Sequence, residues 1–338
     1  MKGMTNFVMP VFLLLSATSC RKDLCYNHDE HSESVKVYVS AEWEQEWERP
    51  YDLNWPELWP ERWTYAYDDL RPQPAQGIRA IVYQANGNSS EHNLSSQGGR
   101  LPMPAGTHDV LFYNNDTEYI VFDQLSASAT ATATTRTVTR ASLTELHAGE
   151  RTVNQPDQLY GYFEEAYTAE ETLEPVEYPI VMRPLTYTYY IRYRFSHGLE
   201  HVALARGALA GMAESVYLSD GRTDYGAATV LFDATLTDWG AEAQMQAFGV
   251  PNFPGDHYTR ADGTPAQYTL NLEVRLNNGK MLSYDFDVTA QVNAQPRGGV
   301  IIVTGIEVSD EDAAGSTGGF DVTVDGWGEW IDIPLPLD

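Results

Sequence analysis

His197-Gly-Leu-Glu-His201 has the H-x-x-E-H spacing of a zinc hydrolase. That chemistry needs both imidazoles on one face of a helix, with a further carboxylate ligand downstream. The residues before it, Thr186-Tyr-Thr-Tyr-Tyr-Ile-Arg-Tyr-Arg-Phe195, read as a strand, and Gly198 sits inside the motif. A strand-to-turn corner with exposed or capping histidines is therefore expected. His28-Asp-Glu-His31 has ligand types that suit a divalent ion, but its polar surroundings read as a solvated tether. Asp310-Glu-Asp312 offers calcium-type oxygens without the spacing of an EF-hand loop, and a solvated turn is the simpler reading. No P-loop, dinucleotide fingerprint or nucleophile elbow is present. The 48 acidic residues single out no catalytic pair. No enzyme activity, metal or cofactor is expected.

Aromatic chemistry is more concentrated. Trp43, Trp47, Tyr51, Trp55, Trp59 and Trp63 recur at every fourth position. This spacing suits one helix face, yet Pro50, Pro56 and Pro60 each forbid a continuous helix. An irregular, broken-helical insertion over 43–67, folded onto the first domain, is expected. Indoles flanked by acids and amides can stack on sugar rings, which makes Trp47, Trp55, Trp59 and Trp63 candidate ligand contacts. The alternative is that they plug a gap in the packing. Several open, coplanar indoles would mark a platform, and burial would mark a plug.

Cys20 is the third candidate. It ends the apolar run Val11-Phe-Leu-Leu-Leu-Ser-Ala-Thr-Ser-Cys20, with Lys2 before it and Arg21-Lys22-Asp23 after it. A charged start, an apolar segment shorter than the roughly 20 residues that span a bilayer, and small residues at the cut describe a secretory signal. With Cys after the small residues, residues 1–19 resemble a bacterial lipoprotein signal peptide, although Ala17 stands where Leu is commoner. The resemblance implies cleavage before Cys20 and a palmitate-type diacyl anchor on its thiol. Two or three acyl chains at about 0.8 kcal/mol per buried methylene hold a domain where one does not. Residues 20–34 then form a flexible tether.

The composition narrows the partners. A formal charge of −27 over 338 residues repels phosphate backbones, so no nucleic-acid binding is expected. It also repels anionic headgroups, which leaves the acyl anchor as the membrane link. With only two cysteines, one of them lipidated, stability must rest on packing rather than on disulfides.

The elements that must position these residues are strands. Val35, Val37, Val39, Ala41 and Trp43 alternate on one face of a half-buried strand. Further strands are expected at 77–83, 108–113, 119–122, 186–195, 227–236, 267–276, 281–289, 300–308 and 320–333. Asn277-Asn-Gly279 is a hairpin turn between two of them. Ala/Thr-rich 126–140 is either an extended edge strand or a loop. Only 201–212 and 240–248 look helical or turn-like. An all-β fold of two successive β-sandwiches follows, the first over 35–175 and the second over 176–338.

Gly98-Gly-Arg-Leu-Pro-Met-Pro-Ala-Gly106, Val110-Leu-Phe-Tyr-Asn-Asn-Asp-Thr-Glu118, Arg206-Gly-Ala-Leu-Ala-Gly-Met-Ala213 and Phe320-Asp-Val-Thr-Val-Asp-Gly-Trp327 carry a family likeness. With the lipoprotein start, their order resembles the fimbrillin-like lipoproteins of Bacteroides and Porphyromonas relatives. The resemblance implies two tandem transthyretin-like, Greek-key β-sandwiches and display at the outer-membrane surface. It also implies cell adhesion as a shaft, tip or anchor subunit of a fimbrium, with host or glycan ligands as further candidate partners. Such subunits pair by donor-strand-type β-augmentation, in which one chain fills the unpaired backbone edge of another. In shaft subunits a protease cuts after Arg or Lys and removes the first strand, while anchor subunits keep theirs. Here that strand is 35–43. The nearest cleavage candidate, Arg49, is followed by Pro50, which hinders trypsin-like cutting. Pro334 and Pro336 make 320–337 read as the last strand of its own domain rather than a detachable donor. An anchor or accessory subunit is the reading favoured.

Overall fold

The computed structural model describes residues 34–49, 54–61, 63–138, 146, 147, 149–172 and 174–314. The expected signal peptide, Cys20, His28 and His31 of the expected tether, Pro50 and the expected strand at 320–333 lie outside the described residues.

Ten strands come first: β1 (Ser34–Trp43), β2 (Gly77–Gln84), β3 (Ser89–Ser95), β4 (Gly98–Pro104), β5 (Gly106–Asn114), β6 (Ile120–Asp123), β7 (Thr132–Thr135), β8 (Arg151–Asn154), β9 (Tyr160–Ala169) and β10 (Val176–Pro184). Seven of them close on themselves in the order β1-β10-β9-β5-β2-β3-β4. The alternation read in β1 is the cause of its placement. Val35, Val37 and Val39 are buried inside the closed sheet while Tyr38 faces out. Val37 pairs in parallel with Val176 of β10 and antiparallel with Leu101 of β4, so the first strand is laddered on both edges. Pro179 sits mid-strand where β10 pairs with β1 alone, since β9 meets β10 only at Arg183 and Pro184. One free edge is what lets a strand hold a proline. At the β3–β4 turn Gly98 has φ +99°, and a Cβ there would lie 2.0 Å from the Val39 carbonyl oxygen. Only glycine lets β4 approach β1 this closely.

The second half supplies β11 (Tyr187–His197), β12 (Val202–Ala213), β13 (Ser215–Tyr217), β14 (Ala227–Thr237), β15 (Gly240–Ala247), β16 (Thr269–Leu276), β17 (Met281–Asp287) and β18 (Gly299–Glu307). Three short α-helices, α1 (Trp55–Leu58), α2 (Thr289–Ala294) and α3 (Asp310–Ala313), and two 3-10 turns, Tyr67–Leu70 and Leu199–His201, complete the regular elements of the described residues. The second sheet runs β17-β16-β12-β14-β15-β11-β18, with β8 added beside β14. It bends between β14 and β15, which pair only over Thr235–Thr237. The two arms face one another across a core that includes Tyr189, Ile191 and Tyr193 of one arm and Leu209, Leu270 and Leu272 of the other.

Three expectations are corrected. Residues 201–212 and 240–248, read as helical or turn-like, are strands β12 and β15. Their alanines favour helix locally and their glycines favour no regular element, but β12 is paired on both edges, by β14 and β16. Small side chains suit a strand that is buried over nearly its whole length. The boundary at 175/176 falls inside the barrel, because β10 is one of its strands and the chain crosses to the second sheet only at Leu185–Thr186. In exchange, β8 reaches out of the first half into the second sheet, and β7 pairs with β13 in a three-stranded sheet with β6. That small sheet and the barrel's outer face bury Ile81, Leu111, Val216, Leu218 and Phe248 together, joining the two halves. Among the described residues no helix is long and apolar enough to cross a membrane.

Candidate functional site

The Trp-rich insertion begins where β1 leaves the barrel. The Trp47 carbonyl accepts from Thr188 N at 3.0 Å, and Arg49 N donates to the Arg297 carbonyl at 3.1 Å. The chain after β1 is thus annealed to the edge of the second half. Gly298 (φ +82°) permits this, since a Cβ there would meet the Trp47 carbonyl oxygen at 2.7 Å and that of Thr188 at 2.8 Å. Beyond Asn54, Pro56 lies in the first turn of the four-residue α1, where a missing N–H is tolerated, and Pro60 follows its end. The broken-helical expectation holds for 54–61. The docking surface differs from the one expected: Trp47 and Leu70 form a core with Tyr190 and Val300 of β11 and β18, so the insertion covers the second domain rather than the first.

Within this core the four candidate indoles are not coplanar. Trp47 is 1% exposed, and it lies 5.8 Å from Trp59 at 77° and 5.2 Å from Tyr67. Trp59 sits 4.7 Å from Trp63 at 75° and stacks on Tyr190 at 5.8 Å. Trp55 Nε1 donates to Gln295 Oε1 at 2.8 Å, and Trp59 Nε1 to the Tyr65 carbonyl at 2.9 Å. Edge-to-face rings of this kind add about 0.5–1.5 kcal/mol per pair beyond their area. Trp47 is inaccessible to any ligand. Trp55, Trp59 and Trp63 are half-buried, and together they make a packing cluster rather than an open platform.

Glu48 is buried against this cluster and accepts from Tyr67 Oη at 2.9 Å. Burial raises its carboxyl above the ordinary value, and the Tyr67 hydrogen bond offsets only part of that. A carboxyl raised by folding binds more protons folded than unfolded. Its contribution is present in full below the ordinary carboxyl range and is lost as pH rises through the raised value. Glu48→Gln is accordingly expected to leave stability nearly unchanged at acidic pH and to increase it at pH 7. Urea midpoints at both pH values check this; a lower midpoint for the variant at pH 7 would contradict it.

A pocket opens at the edge of the cluster. A cavity of about 390 Å³ is lined by Pro60, Trp63, Arg192, Arg194, Trp239 and Ile302. Arg192, from β11, lies with its guanidinium carbon 3.9 Å from the Trp239 ring centre and 4.6 Å from that of Trp63. Desolvation pulls Arg192 below the ordinary guanidinium value, against attraction from Tyr190 and Glu242. Neither Arg192 nor Trp239 stood out in the sequence. The only local hint was a buried-looking strand, 186–195, carrying two arginines.

The remaining candidates resolve simply. β11 ends at His197, Gly198 takes the left-handed conformation at φ +76°, and Leu199–His201 form one 3-10 turn, which is the corner expected. Both imidazole Nε2 atoms approach Asp310 Oδ1, at 3.7 and 3.6 Å, at an exposed surface. Among the described residues no group of three His, Cys, Asp or Glu side chains is placed to hold a metal ion. Asp310–Asp312 lie in α3, capped by Ser309, with Asp312 paired to Lys280 Nζ at 2.5 Å. Arg49 packs its side chain against Glu44 and over the Tyr187 ring at 5.7 Å.

Comparison with known proteins places this architecture. A Bacteroides ovatus protein provisionally named fimbrium anchoring subunit Fim4B is 25% identical over 184 residues, 54% of each chain. This chain thus matches about half the length of that relative. A crystal structure from Bacteroides ovatus, provisionally called an adhesin, overlays with a TM-score of 0.55 at 20% identity, covering 91% of this chain and 98% of the other. That likeness is one of fold. The fimbrial anchor protein Mfa2 of Porphyromonas gingivalis overlays more loosely, with a TM-score of 0.43 at 9% identity over 82% of this chain and 94% of its own. A sequence profile described as Domain of unknown function (DUF5119) matches residues 64–233, half of the 338, and the chain belongs to that family.

Proposed function

We propose that this protein is an outer-membrane lipoprotein, held by acyl chains on Cys20, that serves a fimbrium as an anchor or accessory subunit and pairs with its neighbours by β-strand addition. The observation that carries the reading is the state of β1. It is laddered to β10 on one edge and β4 on the other, and its valines fill the barrel. A subunit built to receive a donor strand in its first domain must lose this one. The nearest cleavage candidate, Arg49, is poorly disposed for proteolysis, because its backbone and side chain are both engaged and cutting favours exposed, mobile chain. A subunit that keeps its own first strand terminates growth at that domain. Pairing with a neighbour then falls to open edges. Among the described residues β17 pairs on one side only, with β16, and its residues are exposed or half-exposed throughout. The relative named as a fimbrium anchoring subunit supports the same reading.

Mass spectrometry of the native membrane-extracted protein tests it. The expected N-terminus is an acylated Cys20 with residues 34–43 intact, and removal of the protein from the cell should lengthen fimbriae or release them into the medium. A mature chain beginning near Pro50, or fimbriae unchanged in length and retention, would overturn it. Glycan binding through the Trp cluster as a whole is not favoured, since Trp47 is buried and the rings are inclined to one another. Of that set, Trp63 lines a cavity.

A further inference from the structure

Arg192 is 7% exposed, and packing alone does not complete it. The indoles of Trp239 and Trp63 cover its guanidinium, at 3.9 and 4.6 Å, leaving its N–H edges for hydrogen bonding. Its Nε has no hydrogen-bond partner. Glu242, opposite Arg192 in the β11–β15 ladder, and Tyr190, which shares a side-chain hydrogen bond with it, both attract the guanidinium, while Nε alone stays without a partner. Nε is sealed from the cavity, so the atoms Arg192 has for a ligand are its terminal guanidinium nitrogens. Beside it lies the cavity of about 390 Å³, bordered also by the exposed Arg194. That volume is in the range of small-ligand clefts.

We propose that this cavity is a subsite for a sugar ring bearing one carboxylate, of the uronic or sialic acid class. Arg192 and Arg194 bind the carboxylate, and the apolar border of Pro60, Ile302 and the indole edges contains the ring. Three features select this ligand. A guanidinium fork matches a carboxylate bidentately, and it does so best where water is excluded. The C–H face of a pyranose is apolar, which suits the Pro60, Ile302 and indole lining of the cavity. The chain's net charge of −27 repels a dianion twice as strongly as a monoanion, which disfavours phosphate. A bare carboxylate, for its part, would leave Pro60, Ile302 and the indoles without a partner. The assignment goes beyond the fimbrial reading and stands without it.

The test is titration of the full-length protein, in detergent, with methyl glucuronide, a methyl sialoside and methyl glucoside. Tryptophan fluorescence gives affinity, and saturation-transfer NMR gives the protons in contact. At least one acid sugar is expected to quench saturably, with transfer to its ring protons, and to bind at least about tenfold tighter than the glucoside. Arg194→Ala, at an exposed position, should remove most of that preference without moving the urea midpoint. Arg192→Lys keeps the charge but loses the fork and should weaken binding about tenfold or more. Equal binding of glucoside and glucuronide, or no saturation by either acid sugar in the millimolar range, would overturn the proposal. So would N-acetylaspartate amide binding as tightly as the acid sugars, since the site would then be reading a peptide carboxylate.

Discussion

Val37→Asp is expected to cost more than about 4 kcal/mol and to unfold the barrel, an effect at the far end of what single substitutions do. Val37 is fully buried at the centre of β1, facing the barrel core, with Val176 on one flank and Leu101 on the other. An aspartate there places a carboxylate among apolar side chains with no donor in reach. Neither ionisation nor protonation relieves it cheaply. The outward-facing Tyr38, 42% exposed, is the internal control: Tyr38→Asp should stay within about 1 kcal/mol of the parent. Urea unfolding followed by limited proteolysis reads both. The functional form of the experiment deletes residues 34–43 and supplies them as a peptide. Because β1 pairs with two neighbours over seven registers each, the truncated chain should bind the peptide and regain protection. A truncated chain as stable as the parent would mean that the first strand completes nothing, and the retained-strand argument for an anchor would fall.

The second large effect is at Trp47. Trp47→Ala should destabilise the protein by about 3–5 kcal/mol, the range for removing a large buried aromatic. The indole is 1% exposed among Trp59, Tyr67 and Leu70, and its backbone carbonyl ties the insertion to Thr188. Urea titration measures the loss, and near-ultraviolet circular dichroism should lose the signal of the coupled rings. A platform residue would behave oppositely, leaving stability within about 0.5 kcal/mol and affecting ligand binding alone.

Many strands were legible from sequence: β1 lies where its period of two puts it, and β2, β5, β11, β14 and the β16–β17 hairpin around Asn277-Asn-Gly279 lie where β-branched and aromatic residues and turn residues put them. Those that were missed have a common cause. β12 and β15 are rich in alanine, with glycine and methionine, and β15 adds Glu242, Gln244 and Gln246, residues whose local preference is not extended; what makes them strands is pairing with partners such as β14, β16 and β11. β9 and β10 lay hidden in an acidic stretch with Pro175 and Pro179 because the proline sits on a singly paired edge.

By itself the chain determined that it folds as β-structure in two halves, that its first strand is amphipathic, that its indoles lie at four-residue spacing broken by prolines, and that its net charge is strongly negative. These are properties of neighbouring residues, set by side-chain alternation, backbone restriction and summed charge. The tertiary structure alone decided that β10 rather than β9 flanks β1, that β7 and β8 leave the first half to pair with the second, and that the insertion covers β11 and β18. It alone brought Trp63, Arg192 and Trp239 to one cavity. Which edges meet across a hundred residues depends on the burial and hydrogen bonding of the whole assembled sheet, and no local window of sequence contains that sum.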